Sequence, residues 1–363
     1  MSLWQRPLKQ WQIIAENKRN PFRLNSLKSL VSLFLLGTVL SVAIAACSGG
    51  SNNVEVTLVS FAVTRGAHEA IIPKFKEQWK QEHNQNVVFR HSYGGSGSQT
   101  RAVIDGLGAD IVHLALAGDT ERIEKAGLIQ PGWEKEFPHN SIVSQSVAAI
   151  ITRPGNPKGI KTWEDLVKGD IRMITADPKT SGIARWNFLA LWNAVIKTGG
   201  DEAKATEFVT NIYKNVPILT KDAREATDVF ARQGQGDALI NYENEVFLAQ
   251  QNGENIDYVI PDVNISIDHP IAIVDKNVDR HGNREVAEAF VNFLFTPEAQ
   301  EEFVKLGFRP ANETLAQNKA TTDKFPQVKT LGTVEDFGGW EAIDQKFFAD
   351  GAIFDQIQTQ RRR

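Results

Sequence analysis

One cysteine in 363 residues, Cys47, rules out a disulfide framework, so any folded core is held by packing alone. Cysteine partners for zinc are missing too, and the seven histidines are scattered without an H-E-x-x-H pair. No G-K-[ST] is present, which excludes a Walker-type phosphate grip. No G-x-G-x-x-G marks a dinucleotide fingerprint, and no G-x-S-x-G marks a nucleophile elbow, although "GGSGS" has some of its flavour. Surplus positive charge is also absent. The chain has 40 basic and 44 acidic residues; with residues 1–46 set aside, 34 basic residues face 43 acidic ones, a net charge of −9. That balance disfavours a nucleic-acid surface. There is no internal repeat, no heptad and no low-complexity stretch beyond residues 48–53.

The basic residues cluster at the start. Arg6, Lys9, Lys18, Arg19, Arg23 and Lys28 stand against Glu16 alone, and the apolar run "SLVSLFLLGTVLSVAIAAC" follows from Ser29 to Cys47. A basic segment, an apolar segment and small residues at its end predict a secretory signal over 1–46. The ending "IAAC" resembles a bacterial lipobox, which implies a diacylglycerol on Cys47, with residues 47–53 as anchor and tether. The competing reading is a transmembrane anchor with a chance cysteine. Against it stand the uniqueness of Cys47 and the "SGGSNN" tether behind it.

Beyond the tether, apolar runs at 54–61, 86–93, 109–116, 146–153, 171–176 and 237–242 read as strands. Between and after them lie amphipathic stripes, Ala205, Phe208, Val209, Ile212 and Tyr213 in one, Val286, Ala289, Phe290, Phe293 and Leu294 in another. "TPEAQEEF" predicts a helix with Thr296 as N-cap and Pro297 at its first position. Strands alternating with helices predict an α/β fold of mostly parallel sheets, and a chain of this length predicts two of them.

In open α/β sheets, ligands sit beyond the carboxyl ends of strands. "SFAVTRGAHE", "SYGGSGSQ", "ADPKTSGIARWN" and "NYENE" all occupy such ends. Gly94–Gly97 and Thr180–Ile183 precede helical patterns, where free N–H groups and a partial positive charge favour an anion. Ser96 and Ser181 are each fit to be an N-cap and to donate a hydroxyl proton. The alternative for either loop alone is an ordinary turn. Glu243 and Glu245 read as structural acids paired with bases such as Arg185 or Arg224, and His113 and His269 as packed or surface side chains. No metal site, cofactor site or catalytic constellation emerges. A phosphate-ester-handling enzyme using the glycine-rich loops is therefore the remote alternative to a binding protein.

The stretches "NVVFRHSYGGSGSQ", "NPKGIKTWEDL", "PKTSGIARWN", "ENE", "TPEAQ" and "FGGW…FFADGAIFDQI" together resemble the periplasmic sulfate-binding proteins of sulfate/thiosulfate ABC importers, over about Val54 to Ile357. The resemblance implies a two-lobed type II binding-protein fold that closes on the anion like a clam. The implied divisions are 54–148 for the first lobe, 149–243 for the second, 244–310 for the return, and 311–363 for a C-terminal helical segment across both. It also implies a sulfate-binding set: the Ser96 hydroxyl, the amides of Ser181, Gly182 and Ile183, the amides of Ala62 and Ala223, and Tyr242 where relatives carry an indole donor. Thiosulfate, molybdate or another tetrahedral oxyanion is the alternative ligand. The implied partners are a membrane permease and, through Cys47, a lipid bilayer; the implied state is a periplasmic monomer.

Overall fold

The computed structural model describes residues 53–361, and the signal segment and Cys47 lie outside the described residues. Strand β1 (Asn53–Phe61) becomes fully buried along its second half, as a strand covered on both faces must be. It pairs in parallel with β2 (Asn86–Gly94) and β3 (Ile111–His113). The connections are α1 (Arg65–His83) and α2 (Ser96–Ile104), and α3 (Ala117–Lys125) follows β3. Strand β4 (Ile142–Ser146) completes this part of the first lobe.

One residue, Val147, separates β4 from β5 (Ala148–Thr152), the first strand of the second sheet. There β6 (Met173–Ala176) pairs in parallel with β7 (Ile218–Thr220) and β8 (Ala238–Tyr242). Helices α4 (Gly182–Ile196), α5 (Glu202–Lys214) and α6 (Ala223–Thr227) fill the connections. The stripe read on α5 is the buried one, with Ala205, Val209, Ile212 and Tyr213 in the core. Helix α7 (Glu243–Gln251) and β9 (Asp257–Val259) follow, and β9 pairs with β5. The chain then passes β10 (Val263–Ile265) and re-enters the first sheet as β11 (Ile267–Ile273), later adding β12 (Arg309–Pro310).

Two expectations need correction. The return to the first lobe does not fall at 244, because α7 and β9 stay with the second sheet; it falls between β9 and β11. The sheets are mixed rather than mostly parallel. In the first, β11 runs antiparallel to β3 and β4, and β12 antiparallel to β4; in the second, β5 runs antiparallel to β8 and β9. The reason is topological: strands joined by a helical crossover in one lobe are parallel, whereas β5 and β11 arrive from the other lobe and run against the residents.

The helix at Pro297–Lys305 starts as its sequence predicts, with the Thr296 hydroxyl accepting from Ala299 N–H. Beyond it the C-terminal segment touches both lobes. Strand β13 (Thr330–Gly332) pairs with β10. Glu341 pairs with Lys125 on α3, and Asp344 with Arg185 on α4. Between them Trp340 lies edge-on to Trp186, with ring centres 4.8 Å apart, and packs onto Gly118 of α3 so closely that a Cβ there would meet its ring at 2.9 Å.

Candidate anion-binding site

The carboxyl ends of the six parallel strands, three from each lobe, face one cavity with about 180 Å³ of atom-free space. Phe61, Ala62 and Val63 follow β1, Gly94 to Ser96 join β2 to α2, and Ala115 follows β3. From the second lobe come Ser181 and Gly182 at the start of α4, Asp222 and Ala223 at the start of α6, and Tyr242 at the end of β8. Six of the seven residues singled out in the sequence thus line one space. Ile183 is buried one residue further into α4 and is not part of the wall.

The local backbone explains the convergence. Gly95 is an extended N-cap without a side chain, so the first amides of α2 have no capping group. The third of them, Ser98 N–H, is taken by the Thr180 carbonyl of the other lobe at 3.2 Å. A side chain on Gly95 would place its Cβ 2.8 Å from the Lys221 carbonyl oxygen, and one on Gly182 would place it 2.5 Å from the Ala115 Cβ. Glycine is needed at both for the lobes to meet this closely. The closed arrangement is also joined by Trp186 Nε1–H donating to the Ala115 carbonyl at 2.8 Å and by Arg101 donating to the Lys179 carbonyl at 3.0 Å.

The two serines differ in which of their groups are already bonded within the protein. The Ser96 hydroxyl donates its single proton to the buried Asp119 carboxylate and accepts from Ala115 N–H at 3.0 Å, so no proton is left for a ligand. Its amide, at the first position of α2, has no intrahelical acceptor. At Ser181 the amide donates to the Asp177 carbonyl at 2.9 Å, while the hydroxyl forms no capping bond. Asp119 is neutralised by Arg122 beside it.

Tyr242 is buried, its ring packed against Phe61 and His269, and its hydroxyl has no hydrogen-bond partner among the described residues. Burial, with Asp119 and Glu245 nearby, pushes the phenol well above its ordinary range, so it remains a protonated donor. Among the described residues no lysine, arginine or histidine lines the cavity, and Asp222 is its one charged wall residue. Sequence reasoning passed over Asp222, Phe61, Val63 and Ala115, although an Asp three residues before Glu225 signals the helix start that it caps.

The other singled-out side chains are structural. Glu245 pairs with Arg224 at 3.0 Å, whereas Glu243 pairs with Arg309 on β12 at 2.7 Å; Arg185, expected as a partner, binds Asp344 instead. His113 and His269 are buried, each with its ring against that of Phe61. No group of three or more metal-ligating side chains occurs among the described residues.

A family profile described as bacterial extracellular solute-binding protein matches residues 56–309. The chain is 57% identical to the sulfate-binding protein of Synechococcus elongatus over 339 residues, covering 91% of this chain and 96% of that one. It is 36% identical to the thiosulfate-binding protein of Pseudomonas aeruginosa, covering 92% and 99% respectively. Among solved structures it is similar to the sulfate-binding protein SubI from Mycobacterium tuberculosis, with a TM-score of 0.75 at 35% identity, covering 82% of this chain and 100% of that one. With its two mixed sheets and its cavity at their facing strand ends, the chain belongs to the bacterial extracellular solute-binding proteins, in the type II family of sulfate-binding proteins of sulfate/thiosulfate ABC importers.

Proposed function

We propose that this protein is a periplasmic receptor that holds sulfate in the interlobe cavity through neutral donors and delivers it to the permease of an ABC importer. The observation that carries the reading is Tyr242, which lines the cavity and whose buried hydroxyl has no partner among the described residues, beside helix starts whose first amides have no intrahelical acceptor. A buried polar group without a partner is costly, and an anion supplies the missing acceptor. The donors we assign are the amides of Ala62, Ser96, Gly182 and Ala223 and the hydroxyls of Ser181 and Tyr242. Each charge-assisted bond contributes roughly 1.5–3 kcal/mol, less the cost of stripping water from the dianion. Because no cation among the described residues lines the site, release requires only that the lobes part.

Isothermal titration with sulfate, thiosulfate and phosphate tests the reading. Sulfate is expected to bind, and equal binding of phosphate would overturn the assignment. The likeness to a thiosulfate-binding protein supports thiosulfate as the second reading, and tighter binding of thiosulfate would establish it. Tyr242→Phe removes one donor and is expected to weaken sulfate binding by about tenfold to a hundredfold, or ~1.5–3 kcal/mol. An unaltered affinity would remove Tyr242 from the site.

We further propose that the protein works as a monomer tethered to the membrane by a lipid on Cys47. Replacing Cys47 with Ala is expected to leave sulfate binding intact while the protein is lost from the membrane fraction. Retention of the variant there as an uncleaved precursor would favour a transmembrane anchor.

A further inference from the structure

Asp222 stands out at the cavity because everything else assigned there donates hydrogen bonds, and a carboxylate only accepts them. It lines both the small cavity and the larger outer cleft bounded by Arg65, Tyr93, Lys221 and Asp228, so it sits at the neck between them. The residue is only 6% exposed. Its Oδ1 accepts Glu225 N–H at 2.9 Å, capping α6, whose helical path continues through Asp228–Arg232. None of the neighbouring cations neutralises it. Arg65 is paired with Glu69 and Arg224 with Glu245, and no described lysine, arginine or histidine forms an ion pair with Asp222.

We propose that Asp222 sets the affinity of the site by opposing the bound dianion. This inference rests on the sulfate reading above. The carboxylate takes the third amide of α6 while the ligand takes the first, at Ala223, so two negative groups share one helix start. Their repulsion is strongest when the lobes are closed and water is excluded, and it is relieved on opening. A receptor that must give up its ligand gains faster release from such a residue at the cost of tightness.

Asp222→Asn is the discriminating variant, because Asn caps a helix as well as Asp does while the negative charge is lost. Calorimetry is expected to show sulfate binding at least tenfold tighter, and stopped-flow measurements a dissociation rate slower by a similar factor. An unchanged melting temperature of the unliganded variant confirms that the cap survives; Asp222→Ser, which also caps, repeats the test and is expected to tighten binding as well. Glu225→Gln removes a charge that lines only the outer cleft and is expected to change affinity much less. Equal or weaker sulfate binding by both Asp222 variants overturns the inference, as does an equal gain from Glu225→Gln. If the unsubstituted protein fails to bind sulfate, the sulfate reading falls and this inference with it; if it binds sulfate and the variants are no tighter, this inference alone falls.

Discussion

The two serines of the site carry the same side chain and opposite commitments, which makes them a direct test of which atoms meet the ligand. Ser181→Ala removes a hydroxyl with no capping duty, and is expected to cost ~1.5–3 kcal/mol in sulfate affinity while unliganded stability changes by less than about 0.5 kcal/mol. Ser96→Ala strips Asp119 of a donor and Ala115 N–H of an acceptor, both buried, and is expected to cost about 1–3 kcal/mol in stability. Urea unfolding paired with calorimetric titration separates the two, and the reverse pattern would return the Ser96 hydroxyl to the ligand. The residue types of the site were legible in the chain because glycine and serine are what strand-to-helix turns around an anion require. Which of their atoms stay free was not, since the group that claims the Ser96 hydroxyl lies 23 residues away. The isolated phenol of Tyr242 was equally invisible, because a sequence does not show which buried hydroxyls go without a partner.

Among the elements, the six strands with continuous apolar runs and the amphipathic helices were readable from periodicity. The remaining strands were not. β7, β9 and β10 have three residues each, and β11 carries Pro270 at a register shift, so each lacks either the length or the unbroken pattern that distinguishes a strand. The glycine at the turn between β2 and α2 has a checkable consequence. Gly95 has ordinary dihedrals, φ −61° and ψ 134°, so alanine fits the backbone without strain. Its nearest conflicts are with the Thr180 and Lys221 carbonyl groups of the opposite lobe, which cannot yield as a side-chain tip would. Gly95→Ala is therefore expected to fold with near-normal stability yet lose at least about a hundredfold in sulfate affinity, roughly 2.8 kcal/mol. Small-angle scattering is expected to show no contraction on adding sulfate; a normal contraction would show that the loops do not set closure.

For the whole molecule, the two-sheet organisation followed from length and alternation, while the place of the return crossing did not, because no proline- or glycine-rich linker marks it. A second global property lies in the core of the first lobe. His68 is buried, with its Nε2 3.1 Å from His113 Nδ1 and its Nδ1 3.1 Å from the Tyr93 hydroxyl, and His269 is buried nearby. Burial drives His68 and His113 well below the ordinary range and His269 down to about 3. All three stay neutral in the fold and take up protons near pH 6.5 when it unfolds. The unfolded state thus binds more protons below pH 6.5, and the stability present above that pH is lost as pH falls, at up to about 1.4 kcal/mol per pH unit for each histidine. Burial pushes the carboxyls of Glu243, Glu245 and Asp268 the other way, offsetting part of the loss. A comparison isolates the histidine effect: between pH 6 and 5, His269→Gln is expected to lose stability less steeply than the unsubstituted protein by about 1.4 kcal/mol per pH unit. Parallel slopes in urea unfolding would show that His269 is not a buried neutral group.

The meeting of Trp186 and Trp340 at the lobe boundary has an optical consequence. Trp186 belongs to the second lobe and donates to a carbonyl of the first, while Trp340 touches it edge-on and packs on the first lobe as well. Parting the lobes changes the solvation and the coupling of both indoles at once. The protein therefore carries a built-in emission gauge of closure, readable by intrinsic fluorescence in unlabelled material and on the timescale of ligand capture itself.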